Sequence, residues 1–142
     1  MTERSFTLYT DGACRGNPGR GGAGAVLLDS AGNVVAMACK YLGHCTNNAA
    51  EYEALIMGIE EALKRSCRRL HIFLDSELLV KQLQGTYRVK NADLKQRMAQ
   101  LQRLLSFLEG YKVEHVGREK NSLADGLANQ AIDEAIVQGR WE

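Results

Sequence analysis

Apolar and polar residues alternate along the first forty residues with the period of β-strands. The alternation over residues 5–11 predicts a strand that ends at Asp11. Residues 12–22 contain most of the nearby glycines and the single proline, and the apolar run 23–28 resumes the pattern. Because no helix follows these glycines, they are interpreted as a hairpin turn and not as a phosphate-binding loop. With one more turn, the chain up to about Leu42 is predicted to form three successive antiparallel strands.

Helical spacing replaces this alternation after the third strand. Apolar residues recur three to four positions apart from Asn48 or Ala49 to Arg65, which predicts a helix with Glu51 on its sheet-facing stripe. Alternation then returns in a short apolar run that ends at Asp75. A strand, helix and strand in succession form a right-handed crossover, so this strand is expected to be parallel to its partner in the sheet.

The C-terminal half is predicted to be mainly helical, with one strand. The elements, in order, are helices over 78–83 and 92–108, a strand over 111–116, and a final helix that is capped by Ser122, carries Asp125 in its first turn and ends near residue 137. No repeat or linker interrupts the pattern. The chain is therefore predicted to be one α/β domain over residues 1–142, with a mixed sheet and helices on its faces.

The composition excludes a disordered, collagen-like or coiled-coil protein. The 142 residues are 45% hydrophobic and 25% charged with one proline, which is typical of a globular domain. A formal net charge of +1 gives no global attraction to a polyanion, so any nucleic acid must be held by a local patch. No membrane span or secretory signal is apparent, and we expect a cytoplasmic protein. The scattered cysteines are interpreted as reduced thiols in preference to a disulfide such as Cys39–Cys45.

Three carboxylates are expected to meet at one end of the sheet. Asp11 and Asp75 end strands that are predicted to be parallel, and Glu51 lies near the start of the connecting helix. Two carboxylates about 4 Å apart repel by roughly 4 kcal/mol at an effective dielectric constant near 20, so the cluster requires cations. Since no basic residue lies on the same strand faces, divalent Mg²⁺ or Mn²⁺ is favoured over salt bridges. The spacing predicts a metal-dependent phosphoryl-transfer site.

His115 ends the last predicted strand, directly before a charged segment. Its ordinary pKa suits a general acid or proton shuttle. The pattern alone leaves this role open, and it favours an edge histidine without chemistry.

Four segments together resemble the type 1 ribonuclease H family. They are YTDGACRGNPG at 9–19, TNNAAE at 46–51, DSE at 75–77 and HVGREKNSLAD at 115–125. The resemblance covers nearly the whole chain and implies a ribonuclease H-like fold, a five-stranded mixed sheet with helices on both faces. It also implies hydrolysis of the RNA strand of an RNA/DNA hybrid, which leaves a 3′-hydroxyl and a 5′-phosphate.

The resemblance also assigns residues. It implies two Mg²⁺ ions, with Mn²⁺ as a substitute, bound by Asp11, Glu51, Asp75 and Asp125, and it makes His115 catalytic. No obligatory protein partner is evident in the sequence, and a monomer that needs no membrane is expected.

Substrate contacts are implied at six further positions. The residues assigned to the minor groove of the hybrid are Cys14, Asn17, Asn47 and Asn48, and those assigned to a DNA-phosphate pocket are Thr46 and Asn91. Without the resemblance, Asn17 and Asn47 are interpreted as turn and cap residues, and the two roles are compatible.

Three positions depart from the family pattern. His44 stands where many relatives have arginine at the phosphate pocket, and Glu77 stands where a neutral substrate-contacting residue is common. Residues 85–90 are short where some relatives carry a basic protrusion. We therefore expect weak hybrid binding with a shallow salt dependence.

Two other functions fit the same pattern. One is a different metal-dependent nuclease of the same fold superfamily, and the other is a hybrid-binding module without catalysis. The filled acidic positions favour a catalytic protein.

Overall fold

A five-stranded sheet lies at the centre of the computed structural model, which describes residues 4–140. The strands are β1 (Ser5–Gly16), β2 (Gly19–Asp29), β3 (Val34–Cys45), β4 (Arg69–Leu74) and β5 (Gly110–His115). The helices are α1 (Asn47–Lys64), α2 (Glu77–Leu83), α3 (Ala92–Leu105) and α4 (Ser122–Val137), with a 3₁₀ turn at Arg118–Lys120. The strand order is β3-β2-β1-β4-β5.

The sheet is mixed, as the sequence predicted. Strands β1, β2 and β3 form antiparallel hairpins, whereas β4 pairs in parallel with both β1 and β5. The parallel pairing of β1 with β4 ends where Thr10 faces Leu74. Asp11 and Asp75, the next residue of each segment, therefore leave the pairing at the same edge of the sheet.

The prediction that β1 ends at Asp11 is wrong. Strand β1 continues to Gly16 because its pairing with β2 runs without a break to the pair formed by Gly16 and Gly19. The turn that was predicted over residues 12–22 is limited to the two residues between the strands. Strand β3 likewise continues past Leu42, to Cys45.

Five helix boundaries also differ from the prediction, and two of them, the start of α2 at Glu77 and the end of α1 at Lys64, differ by one residue. Helix α1 begins at Asn47, with Thr46 as its cap, and α3 ends at Leu105 and not at residue 108. Ser122 is the first residue of α4, whose N-cap is Asn121. The side chain of Asn121 makes no cap hydrogen bond.

Helices cover both faces of the sheet. On one face α1 packs against β1 and β2, and α3 packs against α1, while α4 lies over β1, β2 and β3. The contact of α4 with β2 is very close, because a Cβ atom on Gly24 would lie 2.2 Å from the carbonyl oxygen of Ala124. Only a residue without a side chain fits at this position.

Replacement of Gly24 by alanine tests this contact. We expect Gly24→Ala to lower the free energy of unfolding by about 1–3 kcal/mol, because the added methyl group meets backbone atoms that cannot move aside. Urea denaturation in metal-free buffer measures the change.

Gly126 provides the matched control, since a Cβ atom there meets nothing within 4 Å. Gly126→Ala in α4 should raise stability by up to about 1 kcal/mol, the helix-propensity difference. Equal stabilities for the two variants would contradict the close packing of α4 on β2.

Candidate active site

Three carboxylates converge at the edge where the parallel pairing of β1 and β4 ends. One carboxylate oxygen each from Asp11, Glu51 and Asp75 lies within 4.8 Å of the others. Asp11 comes from β1, Glu51 from the first turns of α1, and Asp75 from the residue after β4. Asp11 is 8% exposed, and the other two are half-buried. The structure thus brings together the three residues that the spacing placed at this edge.

The position of Glu51 depends on Gly12. A Cβ atom on Gly12 would lie 2.3 Å from the carbonyl carbon of Ala50, so a larger residue would push α1 away from β1. The backbone N–H of Gly12 donates to Oε1 of Glu51 at 2.5 Å. Gly12 therefore lets the helix approach the strand and also holds the carboxylate beside Asp11.

The cluster favours protonated carboxyl groups when no cation is present. Burial raises the pKa of Asp11 far above its ordinary value, and the negative charges of Glu51 and Asp75 raise it further. Burial also raises the pKa of Glu51, although hydrogen bonds from Asp11 and Gly12 oppose this shift. Neutral carboxyl groups remove the repulsion that a bound cation would otherwise offset.

Two charged residues of the C-terminal segment complete the cluster. Asp125 is exposed in the first turn of α4, and a hydrogen bond with it contributes to the raised pKa of Asp11. Arg118 comes from the 3₁₀ turn after β5, and its positive charge opposes the rise in the pKa of Glu51. Arg118 was not predicted, because only basic residues on the strand faces were considered as partners of the carboxylates. The sequence feature that could have indicated Arg118 is its place in the charged segment after His115.

A cavity of about 560 Å³ opens above the carboxylates. Its polar lining includes Asp125, Arg118 and three of the six predicted substrate contacts, which are Cys14, Asn47 and Asn48. The cavity can therefore admit a polar ligand next to the acidic cluster.

The other three predicted contacts do not line the cavity. Their side chains accept hydrogen bonds from backbone N–H groups. Asn17 accepts a hydrogen bond from the backbone of Asn47 at 3.1 Å. Thr46 caps α1 through Ala49 at 3.2 Å. Asn91 caps α3 with bonds of 2.8 and 3.1 Å. A phosphate pocket at Thr46 and Asn91 stays a prediction.

His115 does not line the cavity. It is the last residue of β5 and is exposed, so its catalytic role stays a prediction. His44 and Glu77, the two residues that depart from the family pattern, are exposed as well. Glu77 pairs with Lys81 at 3.5 Å in α2. His44 lies near the end of the edge strand β3.

Within residues 4–140, the helices are all too short or too polar to span a lipid bilayer.

Sequence comparison finds relatives along most of the chain. The family model described as "Reverse transcriptase-like" matches residues 9–131. Ribonuclease H of Methylococcus capsulatus is 36% identical over an alignment 149 positions long, which covers 95% of this chain and 94% of that protein. Ribonuclease HI of Halobacterium salinarum is 39% identical over 127 residues, covering 89% of this chain and 64% of that protein. The bifunctional protein Rv2228c of Mycobacterium tuberculosis is 40% identical over 129 residues, covering 90% and 35% respectively. The chain thus spans about two thirds or less of the latter two relatives.

Solved structures agree with this result. The N-terminal ribonuclease H domain of Rv2228c superposes with a TM-score of 0.92 at 37% identity, covering 96% of this chain and 99% of that domain. LC11 ribonuclease H1, solved in complex with an RNA/DNA hybrid, gives a TM-score of 0.88 at 40% identity, covering 92% and 99%. Fold, family model and full-length relatives agree, and the chain belongs to the ribonuclease H family.

Proposed function

We propose that this protein is an endoribonuclease that hydrolyses the RNA strand of RNA/DNA hybrids and leaves a 3′-hydroxyl and a 5′-phosphate. The observation that carries the proposal is the cluster of Asp11, Glu51 and Asp75 at the base of a polar cavity. Ribonuclease H of Methylococcus capsulatus, which this chain matches over 94% of its length, supports the reaction. The LC11 relative, solved with a hybrid, supports the substrate.

The donor set fits hard divalent cations. Asp11, Glu51 and Asp75 offer only carboxylate oxygens, and their burial makes the uncompensated charges unfavourable. With Asp125, they would hold two Mg²⁺ ions, for which Mn²⁺ can substitute. Such cations would supply Lewis-acid activation of the attacking water and charge stabilisation at the leaving 3′-oxygen.

The residues of the chain have separate tasks in this reaction. The four carboxylates would hold the cations at the base of the cavity, where a scissile phosphate could reach them. Cys14, Asn47 and Asn48, at the cavity wall, bind the minor groove, where the RNA strand exposes its 2′-hydroxyl groups. Asn17 supports Asn47 through their hydrogen bond. Thr46 and Asn91 bind a phosphate of the DNA strand, and the exposed His115 assists departure of the product.

The broader setting belongs to the same proposal. We take residues 1–142 to act as one catalytic domain, of which residues 1–3 and 141–142 lie outside the described part. The protein is proposed to work as a monomer in the cytoplasm, without an obligatory protein partner.

Cleavage of a panel of end-labelled duplexes tests the reaction. The duplexes are RNA/DNA, RNA/RNA, DNA/DNA and DNA with a single ribonucleotide, each with Mg²⁺, Mn²⁺ or EDTA. We expect cutting only in the RNA of the hybrid, and none in EDTA. Asp11→Asn should lower the rate by at least about a hundredfold, because it removes a charge that holds the ions.

Asp133→Asn is the matched control, since Asp133 is exposed and its ion pair with Arg15 spans 2.8 Å at the surface. Its rate should equal that of the unmodified protein, because exposed ion pairs contribute little. Hybrid binding without cleavage in either metal would replace the enzyme by a binding module. Cutting of DNA/DNA would indicate another nuclease.

The raised pKa values of Asp11 and Glu51 predict a pH-dependent stability. Their ordinary pKa values are 3.8 and 4.5, so between about pH 4 and pH 7 the folded metal-free protein binds more protons than the unfolded chain. The free energy of unfolding should therefore fall as the pH rises through this range. Denaturation at several pH values in EDTA measures it, and Asp11→Asn should reduce the slope. A slope in Asp11→Asn equal to that of the unmodified protein would contradict protonation of Asp11 in the folded state.

The short segment between α2 and α3 predicts a weak dependence of hybrid binding on salt. Within residues 85–90, only Arg88 and Lys90 are basic, and both are exposed. Each neutralised phosphate contributes about 0.9, or somewhat less, to the slope of log K against log salt. Binding of Asp11→Asn to a hybrid in EDTA should give a slope below about 4, and Arg88→Ala with Lys90→Ala should reduce it further. A steep slope would show a basic surface elsewhere.

A further inference from the structure

Asn121 links two of the segments that carry the acidic cluster. The side chain lies just before α4 and is 1% exposed. Its Nδ2 donates to the backbone carbonyl of Thr10 at 2.9 Å and to Oδ2 of Asp75 at 3.0 Å. Thr10 directly precedes Asp11, so one amide group joins the strand that carries Asp11 to the carboxylate of Asp75.

The backbone of Asn121 also makes hydrogen bonds to the 3₁₀ turn and to the first turn of α4. Its N–H donates to the carbonyl of Arg118 at 2.9 Å, and its carbonyl accepts from the N–H of Asp125 at 3.0 Å. Movement of Asn121 would therefore disturb Asp75 and the start of α4 together.

Two features distinguish this side chain from an ordinary helix cap. Asparagine at an N-cap usually accepts a hydrogen bond from the first turn of its helix, but Asn121 makes no such bond. Both of its side-chain hydrogen bonds use the Nδ2 donor, and the buried Oδ1 has no hydrogen-bond partner among residues 4–140. An unpaired buried acceptor is unfavourable, so the benefit of asparagine at this place must come from its Nδ2 donor.

We propose that Asn121 is a positioning residue that holds Asp75 beside Asp11 in the geometry required for binding divalent cations. Asp75 follows the end of a strand and lies near two other carboxyl groups, which repel it when they are ionised. The amide supplies a hydrogen-bond donor without a positive charge. A lysine or arginine at this place would neutralise the cluster and compete with the cation. The inference rests on the proposed metal-dependent function, but it concerns only the protein and its cation.

The direct test is a Mg²⁺ titration without nucleic acid. Thermal unfolding at increasing Mg²⁺ gives the concentration for half-maximal stabilisation. We expect this concentration to rise at least tenfold in Asn121→Ala and in Asn121→Leu, which retains most of the side-chain volume. The Mg²⁺ concentration for half-maximal hybrid cleavage should rise by a similar factor, whereas KM for the hybrid at saturating Mg²⁺ should stay unchanged.

Leu105→Ala is the control for general destabilisation, because Leu105 is buried in α3, outside the residues of the site. It should lower the unfolding temperature without changing the Mg²⁺ midpoint. Unchanged Mg²⁺ midpoints in the folded Asn121 variants would overturn the positioning role. If the unmodified protein responds to Mg²⁺ but cleaves no hybrid, the proposed function fails, and the Asn121 titration still decides the positioning role.

Discussion

Repulsion among carboxylates that are at least half-buried is the constraint that shapes this end of the molecule. Asp11, Glu51 and Asp75 come from three different elements, yet their oxygens lie within 4.8 Å of one another. Such a cluster is unfavourable unless protons or cations compensate it, and the surrounding fold must hold the groups in place. The parallel pairing of β1 with β4, the close approach of α1 and the amide of Asn121 all serve this purpose.

Glycines beside Asp11 allow a helix backbone to approach the sheet closely on each face. Gly12, the next residue of β1, admits the backbone of α1. Gly24, which pairs with Asp11 on β2, admits the backbone of α4. The two helices that carry Glu51 and Asp125 can therefore approach the same strand from opposite sides. Close packing makes this arrangement rigid, which limits the freedom of the carboxylates to move apart.

The base of the cavity is acidic, whereas the part of its wall proposed to contact the substrate is uncharged. Cys14, Asn47 and Asn48 are neutral, and the chain as a whole has a formal charge of only +1. Recognition in the proposed reaction therefore depends on short polar contacts to the minor groove more than on a basic surface. The cations would supply most of the positive charge next to the scissile phosphate.

Local patterns in the sequence were sufficient for much of this description. Alternation and helical spacing predicted the order of the elements, and they placed Asp11, Glu51 and Asp75 at one edge of a mixed sheet. Only the tertiary structure decided where β1 ends, because its last residues are held by pairing with β2 and not by their own pattern. It alone also revealed Arg118 in the cavity and the bonds of Asn121, which join residues 111 and 46 positions apart. Periodicity reports how one segment meets the core, whereas such contacts depend on how distant segments pack together.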